Sequence, residues 1–191
     1  MITGVLLAAG GARRFRSQKL VAMLRGVPIV RHSALALGAV TDSLIVVVGS
    51  EADVVARALG DVEARIVRND DWLLGLSTSI RAAVAAVDAS CEAIVIGVGD
   101  QPGLSPQVVE AVIARWRQSK QPIVSASYRG VRGHPVLFSR DVFAELGALD
   151  GDAGARLLIE RTPSRVSYVD VDAEMPPDID TVDDLSTIGD S

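Results

Sequence analysis

The sequence predicts an α/β fold in which a mostly parallel sheet is covered by helices on both faces. Short apolar runs rich in Val and Ile alternate with longer segments of helical period, the order expected of β-α-β units. The runs are continuously apolar, as in strands that are buried on both sides. With 191 residues, of which 49% are hydrophobic and 4% aromatic, we expect a single domain over residues 1–191 with an aliphatic core.

The first part of the chain predicts four strands and four helices in alternation. The pair Ser105-Pro106 is typical of a helix start, with Ser105 as the N-cap and Pro106 at the first helical position. The predicted strands are Gly4 to Ala8, Leu44 to Gly49, Ala64 to Val67 and Ala93 to Val98. The predicted helices are Ile29 to Leu37, Ala52 to Leu59, Ser79 to Val87 and Pro106 to Arg117.

The pattern changes after a fifth predicted strand, Ile123 to Ala126. A turn-like segment leads to an extended stretch, Pro135 to Phe138, which is interpreted either as part of a hairpin or as an excursion from the sheet. A short helix, Ala155 to Arg161, and a strand, Val166 to Val169, follow. In the terminal helix, Thr181 and Asp184 resemble a capping box with Asp in place of Glu.

Composition limits the partners of the protein. The 19 basic and 24 acidic side chains leave a net charge of −5 without a long basic run, so we expect neither nucleic acid nor an anionic membrane as a partner. A single cysteine, Cys91, excludes an internal disulfide and a cysteine-based zinc site, and is typical of a reducing, cytoplasmic setting. No charge-free apolar stretch reaches the length of about 18 residues that a membrane span needs.

A glycine-containing loop follows the first strand and carries several cations. Gly10 and Gly11 allow a ligand to approach the backbone, while Arg14 and Lys19 suit phosphate oxygens as a planar fork and a point charge. The alternative is an ordinary turn with solvated cations. The loop matches neither the P-loop pattern nor the dinucleotide fingerprint, which disfavours a P-loop hydrolase and a dinucleotide dehydrogenase.

Carboxylates follow two other predicted strands. Asp100, between Gly99 and Gln101, stands where a hard cation such as Mg²⁺ can be held beside phosphates. Either Asp178 or Asp180 would supply a second carboxylate. Helix capping or turn formation is the alternative role for all three residues.

Polar side chains also mark two further segments. Ser77, Ser79 and Arg81 lie at the start of a helix, where hydroxyls and free amides form an anion-friendly end, or serve only as caps. His134 is constrained between a glycine and a proline. Trp72 lines a pocket or packs in the core.

Together these segments resemble the MobA-like nucleotidyltransferase family, most closely its molybdenum cofactor cytidylyltransferase branch. The resemblance covers nearly the whole chain, and its motifs occur in the family's order and spacing. They are Leu7-Ala8-Ala9-Gly10 with Arg14 and Lys19, Gly75 to Arg81, Gly99-Asp100-Gln101-Pro102, Arg132 to Val136, Gly151 to Arg156, and Asp178-Ile179-Asp180-Thr181.

The resemblance implies a Rossmann-like three-layer sandwich of the nucleotide-diphospho-sugar transferase type. It implies transfer of a nucleoside monophosphate to a phosphorylated acceptor with release of pyrophosphate, in which Arg14, Lys19 and Asp100 would be catalytic. Asp100 and Asp180 would coordinate Mg²⁺, and Gln101, Pro102, Gly133 and His134 would bind the acceptor. The nucleotide would be bound by Leu7, Ala8, Ala9, Gly10, Gly11, Arg14, Lys19, Ser77, Ser79 and Arg81.

For the substrates, the resemblance favours CTP and a molybdopterin-type acceptor. Ala9, where the guanylyl branch tends to carry glycine, and Gln101 indicate cytidine rather than guanosine. Alternatives are GTP, another phosphorylated acceptor, or a non-catalytic protein that delivers molybdenum cofactor to a molybdoenzyme. The last is motivated by Arg16, which stands where the family usually has glycine.

Overall fold

A computed structural model describes residues 1–11, 18–152 and 154–189. Seven strands form one sheet: β1 (Ile2–Ala8), β4 (Ser43–Val48), β5 (Arg65–Arg68), β6 (Ala93–Val98), β7 (Ile123–Tyr128), β8 (Val131–Ser139) and β9 (Val166–Val171). A separate small pair consists of β2 (Met23–Leu24) and β3 (Val27–Pro28). The sheet order is β5-β4-β1-β6-β8-β7-β9, and β8 alone runs antiparallel to its neighbours, which confirms the mostly parallel α/β fold.

Seven α-helices lie in the described residues: α1 (Ile29–Gly38), α2 (Ala52–Ala58), α3 (Leu76–Ala86), α4 (Pro106–Ser119), α5 (Phe143–Gly147), α6 (Arg156–Arg161) and α7 (Val182–Gly189). Among these described helices, none is both long enough and apolar enough to cross a membrane. Helix α3 begins three residues earlier than Ser79, the predicted start. Gly75, with φ of 114°, ends the preceding turn, so the chain is already helical from Leu76.

Ser105 occupies the N-cap position of α4 and Pro106 follows it, as predicted. The Ser105 hydroxyl does not cap the helix, however. It donates to Gln107 Oε1 at 2.7 Å, so the proline and the backbone geometry define this helix start.

The stretch Pro135 to Phe138 belongs to β8, which forms a hairpin with β7. The turn is made by Arg129 and Gly130, with φ of 46° and 86°, the conformation favoured in two-residue hairpin turns. Between the pairs Ser125–Val136 and Ala126–Gly133, β8 holds His134 and Pro135 as extra residues. The hairpin interpretation is therefore confirmed, and its bulge accommodates the proline.

Side chains alternate between the two faces of the sheet and form two aliphatic cores. On β1, Leu6 and Ala8 pack with α1, α2 and α4, whereas Val5 and Leu7 pack with α3, α5 and α6. Strands β4 and β6 alternate in the same way. This period of two explains why the strands read as continuous apolar runs.

The sheet has its topological switch point between β1 and β6. Strands β4 and β5 lie on one side of β1, and the chain then crosses to place β6 on the other side. At the carboxyl ends, Gly99 N–H donates to Leu7 O at 3.0 Å, and Ser50 N–H donates to Ala9 O at 3.1 Å. Ligands of open α/β sheets bind in the crevice at this point.

The capping box before α7 is confirmed. Asp184 N–H donates to Thr181 Oγ1 at 3.2 Å, and Thr181 N–H donates to Asp184 Oδ2 at 2.7 Å. The backbone N–H of Asp180 also donates to Asp184 Oδ2. The box therefore holds the chain at the entrance of the terminal helix.

Removal of this cap is expected to destabilise the protein measurably. Thr181→Ala should cost about 1 kcal/mol of unfolding free energy, because the Asp184 amide loses its acceptor. In a domain of this size the corresponding fall in Tm is about 2–4 °C, measurable by circular dichroism. Thr181→Ser keeps the hydroxyl and should retain most of the stability; equal Tm values for the alanine variant and the wild type would contradict the prediction.

Candidate active site

One ammonium group lies between two carboxylates at the carboxyl end of the sheet. Lys19 Nζ is 2.8 Å from Asp100 Oδ2 and 2.8 Å from Asp180 Oδ1. The Lys19 side chain is 13% exposed, and those of Asp100 and Asp180 are 26% and 51% exposed. Burial alone would lower the pKa of Lys19, but hydrogen bonds to the two carboxylates outweigh it and raise this pKa, so Lys19 is charged.

The start of a short turn positions Lys19. Gln18 precedes this turn, and its side chain accepts from Leu20 N–H at 3.4 Å and donates to Ser50 O at 3.2 Å. Leu20 is buried in the core on the α1 side of the sheet. The lysine is therefore held between a buried anchor and the loop after β4.

A buried isoleucine places the second carboxylate. Ile179 is fully buried against Leu24 and Ile29, and its N–H donates to Asp100 O at 2.9 Å. This bond joins the segment 178–180 to the end of β6. Asp180, which follows Ile179, is thereby brought to the Lys19 ammonium.

Asp178 makes a different contact. Its Oδ1 accepts from Gln101 Nε2 at 2.8 Å. Burial raises the pKa of Asp178, and the nearby charge of Asp100 acts in the same direction. Geometry therefore distinguishes the two aspartates: Asp180 converges with Asp100 on one cation, and Asp178 pairs with Gln101.

The donor set of Asp100 and Asp180 fits a magnesium ion that also binds a substrate. Within residues 1–11, 18–152 and 154–189, no group of three or more His, Cys, Asp or Glu side chains is arranged to hold a metal ion. Mg²⁺ usually takes one or two protein carboxylates and completes its shell with water and phosphate oxygens. The Lys19 ammonium, bonded to both carboxylates, shows that their oxygens converge on one cation.

The glycine-containing loop packs closely against Trp72. A Cβ on Gly49 would lie 2.7 Å from both Ala9 O and Trp72 Cβ, and a Cβ on Gly11 would lie 3.0 Å from the Trp72 ring. Trp72 thus packs beside the loop, on the core that also contains Ala9. Gly10, in contrast, is exposed with open space around it.

Arg14 lies outside the described residues, as do Arg13 and Arg16. Its role at the phosphates therefore stays a prediction. Leu7 and Ala8 at the end of β1 and Ala9 directly after it, all in the predicted nucleotide set, are buried. Ala8 packs with the α1 side of the sheet, whereas Leu7 and Ala9 pack with the α3 side.

The start of α3 carries a hydrogen-bonded hydroxyl pair. Asn69 Nδ2 donates to Thr78 Oγ1 at 2.8 Å and to Ser79 Oγ at 2.9 Å. Ser77 Oγ is buried and has no hydrogen-bond partner in the part of the chain that the structure describes. Arg81 donates to Leu149 O at 3.4 Å. Asn69 is not among the predicted site residues, although a polar residue directly after a strand is a recognisable signal.

A cavity of about 640 Å³ lies on the α3 side of the sheet. Its floor is apolar and comes from Leu7, Ile96, Val136 and Phe138 on three neighbouring strands. Of the four residues predicted to bind an acceptor, Gln101, Gly133 and His134 line it, and Pro102 lies in the turn after Gln101. Asp178 also lines the cavity. The end of the cavity near Gln101 therefore adjoins the segment that carries Asp180.

His134 is held at the cavity wall by its backbone and its ring. Tyr128 Oη donates to His134 O at 2.8 Å, and His134 Nδ1 lies 3.3 Å from Ile96 O. Burial lowers the pKa of His134, so the imidazole is neutral at physiological pH. In the neutral ring Nδ1–H donates to Ile96 O, which makes Nε2 an acceptor.

The glycine loop, the carboxylate pair and the adjoining cavity lie together at the switch point of a mostly parallel sheet, which is where enzymes of open α/β folds bind their ligands. The family model of the MobA-like NTP transferase domain matches residues 4–166. The chain belongs to this family and is a nucleotidyltransferase.

Similar proteins cover the whole chain. Nicotine blue oxidoreductase of Paenarthrobacter nicotinovorans is 32% identical over 96% of this chain and 94% of its own length. The crystal structure of Rv0371c from Mycobacterium tuberculosis H37Rv has a TM-score of 0.88 and 32% identity, covering 100% of this chain and 98% of that one. A nucleotidyl transferase from Methanothermobacter thermautotroptrophicus has a TM-score of 0.81 and 25% identity, over 100% and 96% of the two chains.

Truncation of the buried isoleucine is expected to damage both the fold and the carboxylate pair. Ile179→Ala should cost about 2–5 kcal/mol of unfolding free energy, measured by urea denaturation, because it leaves a cavity beside Leu24 and Ile29. The same variant should bind Mn²⁺ more weakly, since Asp180 loses its anchor. Ile179→Val, the matched control, should cost about 0.5–1.5 kcal/mol and keep metal binding. A fully stable alanine variant would argue against this anchoring role.

Proposed function

We propose that the protein transfers CMP from CTP to the terminal phosphate of a molybdopterin-type acceptor in a Mg²⁺-dependent reaction. An acceptor phosphate oxygen attacks the α-phosphorus of CTP, the bond from that phosphorus to the bridging oxygen of the β-phosphate breaks, and pyrophosphate leaves with the bond electrons. The acceptor oxygen is already ionised, so no protein nucleophile is needed. Catalysis of this kind is mostly positioning and charge stabilisation.

The observation that carries the proposal is the convergence of Asp100 and Asp180 on one cation at the switch point. In the proposed complex these carboxylates would hold Mg²⁺, which supplies positive charge to the phosphates. Once the metal takes the place of the ammonium between the carboxylates, Lys19 would neutralise phosphate charge beside the metal, and Arg14 would do so from its loop. A structure of Rv0371c is a complex with manganese, which supports a divalent metal in this fold.

The choice of substrates rests on the family resemblance and on the cavity. Ala9 and Gln101 favour CTP over GTP. Ala9 is buried beside the glycine loop, and Gln101 lines the cavity in contact with Asp178. The cavity adjoins the carboxylates. An acceptor bound in the cavity would need this position for its phosphate to reach the nucleotide.

Pyrophosphate release tests the reaction directly. Purified protein with Mg²⁺ and molybdopterin should release pyrophosphate with CTP and far less with GTP, ATP or UTP. Asp100→Asn should lower turnover by about 10²–10³-fold, because charge stabilisation at the phosphates is lost. Asp172→Asn removes a carboxylate that pairs with Arg129 at the surface, and should leave turnover unchanged. Turnover with GTP instead of CTP would overturn the base assignment, and turnover only with another phosphorylated acceptor would overturn the molybdopterin assignment.

The same variant separates catalysis from cofactor delivery. A non-catalytic protein that carries molybdenum cofactor to a molybdoenzyme, the alternative that Arg16 motivates, should keep its delivery function in Asp100→Asn. A Mg²⁺-dependent transferase should lose it together with pyrophosphate release. Reconstitution of a cofactor-free molybdoenzyme is the measurement.

The similarity to nicotine blue oxidoreductase favours a second candidate, a redox reaction on a ring compound in the same cavity. Here a hydride from a reduced nicotinamide cofactor would reduce the ring, with a proton taken from solvent. The absorbance of the reduced cofactor in the presence of nicotine blue tests this candidate. Oxidation of the reduced cofactor, without release of pyrophosphate from any NTP, would favour the redox reaction over CMP transfer.

Replacement of Lys19 is expected to strengthen metal binding in the absence of nucleotide. Lys19→Met removes the cation that both carboxylates now bind, so Mn²⁺ should bind about tenfold more tightly, equivalent to 1.4 kcal/mol. Titration followed by electron paramagnetic resonance measures this affinity without turnover. Lys120 is the chain's only other lysine and is exposed, so Lys120→Met is the control for the change in net charge. Unchanged or weaker Mn²⁺ binding in Lys19→Met would contradict a shared cation site.

A further inference from the structure

Two arginines line the cavity and share a carboxylate, Glu160, that is not itself part of the lining. Arg156 Nε is 2.7 Å from Glu160 Oε1, and Arg132 Nη2 is 3.8 Å from the same oxygen. Arg132 and Arg156 both belong to the cavity lining. The Arg156 hydrogen bond lowers the pKa of Glu160, which is therefore ionised. The cluster thus keeps one positive charge that Glu160 does not balance.

The arginines reach the cavity from different elements. Arg132 pairs with Ser127 in the β7–β8 hairpin, beyond Ile96–Val136, the last pair between β6 and β8. It therefore lies toward the same edge of the sheet as Asp100. Arg156 is the first residue of α6. Two separate elements thus converge on one cavity wall.

The remaining charged and polar lining is sparse. Among the described residues, Asp178, paired with Gln101, is the one carboxylate of the lining; Ser125 also lines the cavity, and His134 is neutral there. Aliphatic side chains from α3 and α6, Ile80 and Ile159 among them, face the apolar floor supplied by the sheet. A volume of about 640 Å³ is in the range for one small organic ligand.

We propose that the cavity binds the planar ring system of the acceptor and that Arg132 and Arg156 bind an anionic group attached to that ring. The inference rests on the proposed function for the acceptor and its ring, and on the arginine pair of the cavity lining for the anion. Aliphatic walls suit the faces of a flat ring. Guanidinium groups bind carboxylate or phosphate oxygens in paired hydrogen bonds. Glu160 then acts as an internal competitor, because it binds both arginines until an anionic ligand displaces it.

Two pterins that differ in charge test the proposal without turnover. Pterin-6-carboxylate carries an anion on the ring, and 6-hydroxymethylpterin is its neutral counterpart. Both are fluorescent, so their affinities are obtained by fluorescence titration in the absence of nucleotide. The proposal expects the carboxylate to bind about tenfold more tightly than the neutral pterin, which corresponds to 1.4 kcal/mol.

Variants of the cluster shift this preference in opposite directions. Arg132→Gln and Arg156→Gln should each remove most of the preference for the carboxylate and leave the neutral pterin unaffected. Glu160→Gln should strengthen carboxylate binding, because the competitor loses its charge. Arg165→Gln removes the same charge at a residue that pairs with Glu145 outside the cavity lining, and should change neither affinity.

The possible results are distinct. Equal affinities for the two pterins, no binding of either, or an unchanged preference in both arginine variants would overturn the proposal. The expected preference and its loss in the variants would support it. If that pattern is obtained but CTP and molybdopterin give no pyrophosphate, the ring-and-anion site stands and the proposed CMP transfer fails.

Discussion

The Lys19 ammonium joins three parts of the chain that are far apart in sequence. It connects the loop after β1, the end of β6 and the entrance of α7 through Asp100 and Asp180. None of the three side chains is fully buried, so the ion pairs alone contribute only modestly to stability. Their positions depend instead on buried neighbours, Leu20 beside the lysine and Ile179 beside Asp180. The aliphatic core thus determines the geometry of a polar site.

The cation between the carboxylates also explains how an acidic protein receives a polyanion. The carboxylates that would hold a divalent metal repel phosphate when they are bare. With a lysine between them, the site is already partly neutralised before substrate arrives. A net charge of −5 therefore says little about the local field at the switch point.

Most of the fold follows from the periodicity of the apolar residues. The remainder depends on tertiary contacts between elements that are distant in the sequence. Runs such as Ala93 to Val98 were predicted with their observed bounds because they are buried on both faces. The start of α3 was placed three residues late, since Ser77 and Thr78 are residues that also favour turns. Strand β8 was only partly anticipated, because its proline sits in a bulge that depends on pairing with β7.

The sequence likewise predicts only part of the candidate site. Asp100 and the segment of Asp178 and Asp180 stand out as polar residues after apolar runs, but which aspartate meets Lys19 depends on the burial of Ile179. The cluster of Arg132, Arg156 and Glu160 has no local signal, because its members come from a hairpin and a helix that meet only in the folded chain. Arg132 and Arg156 belong to sequence motifs that by themselves assign neither residue a role.

The reversed direction of β8 brings the start of this strand to the ligand-binding edge of the sheet. Parallel strands present only their carboxyl ends to the crevice, whereas β8 presents its first residues there, next to the ends of β6 and β7. The glycine loop and Asp100 come from the ends of β1 and β6, whereas Arg132 and Arg156 come to the cavity lining from β8 and α6. One inverted strand thus lets the start of a hairpin border the same crevice as the loops that follow the parallel strands.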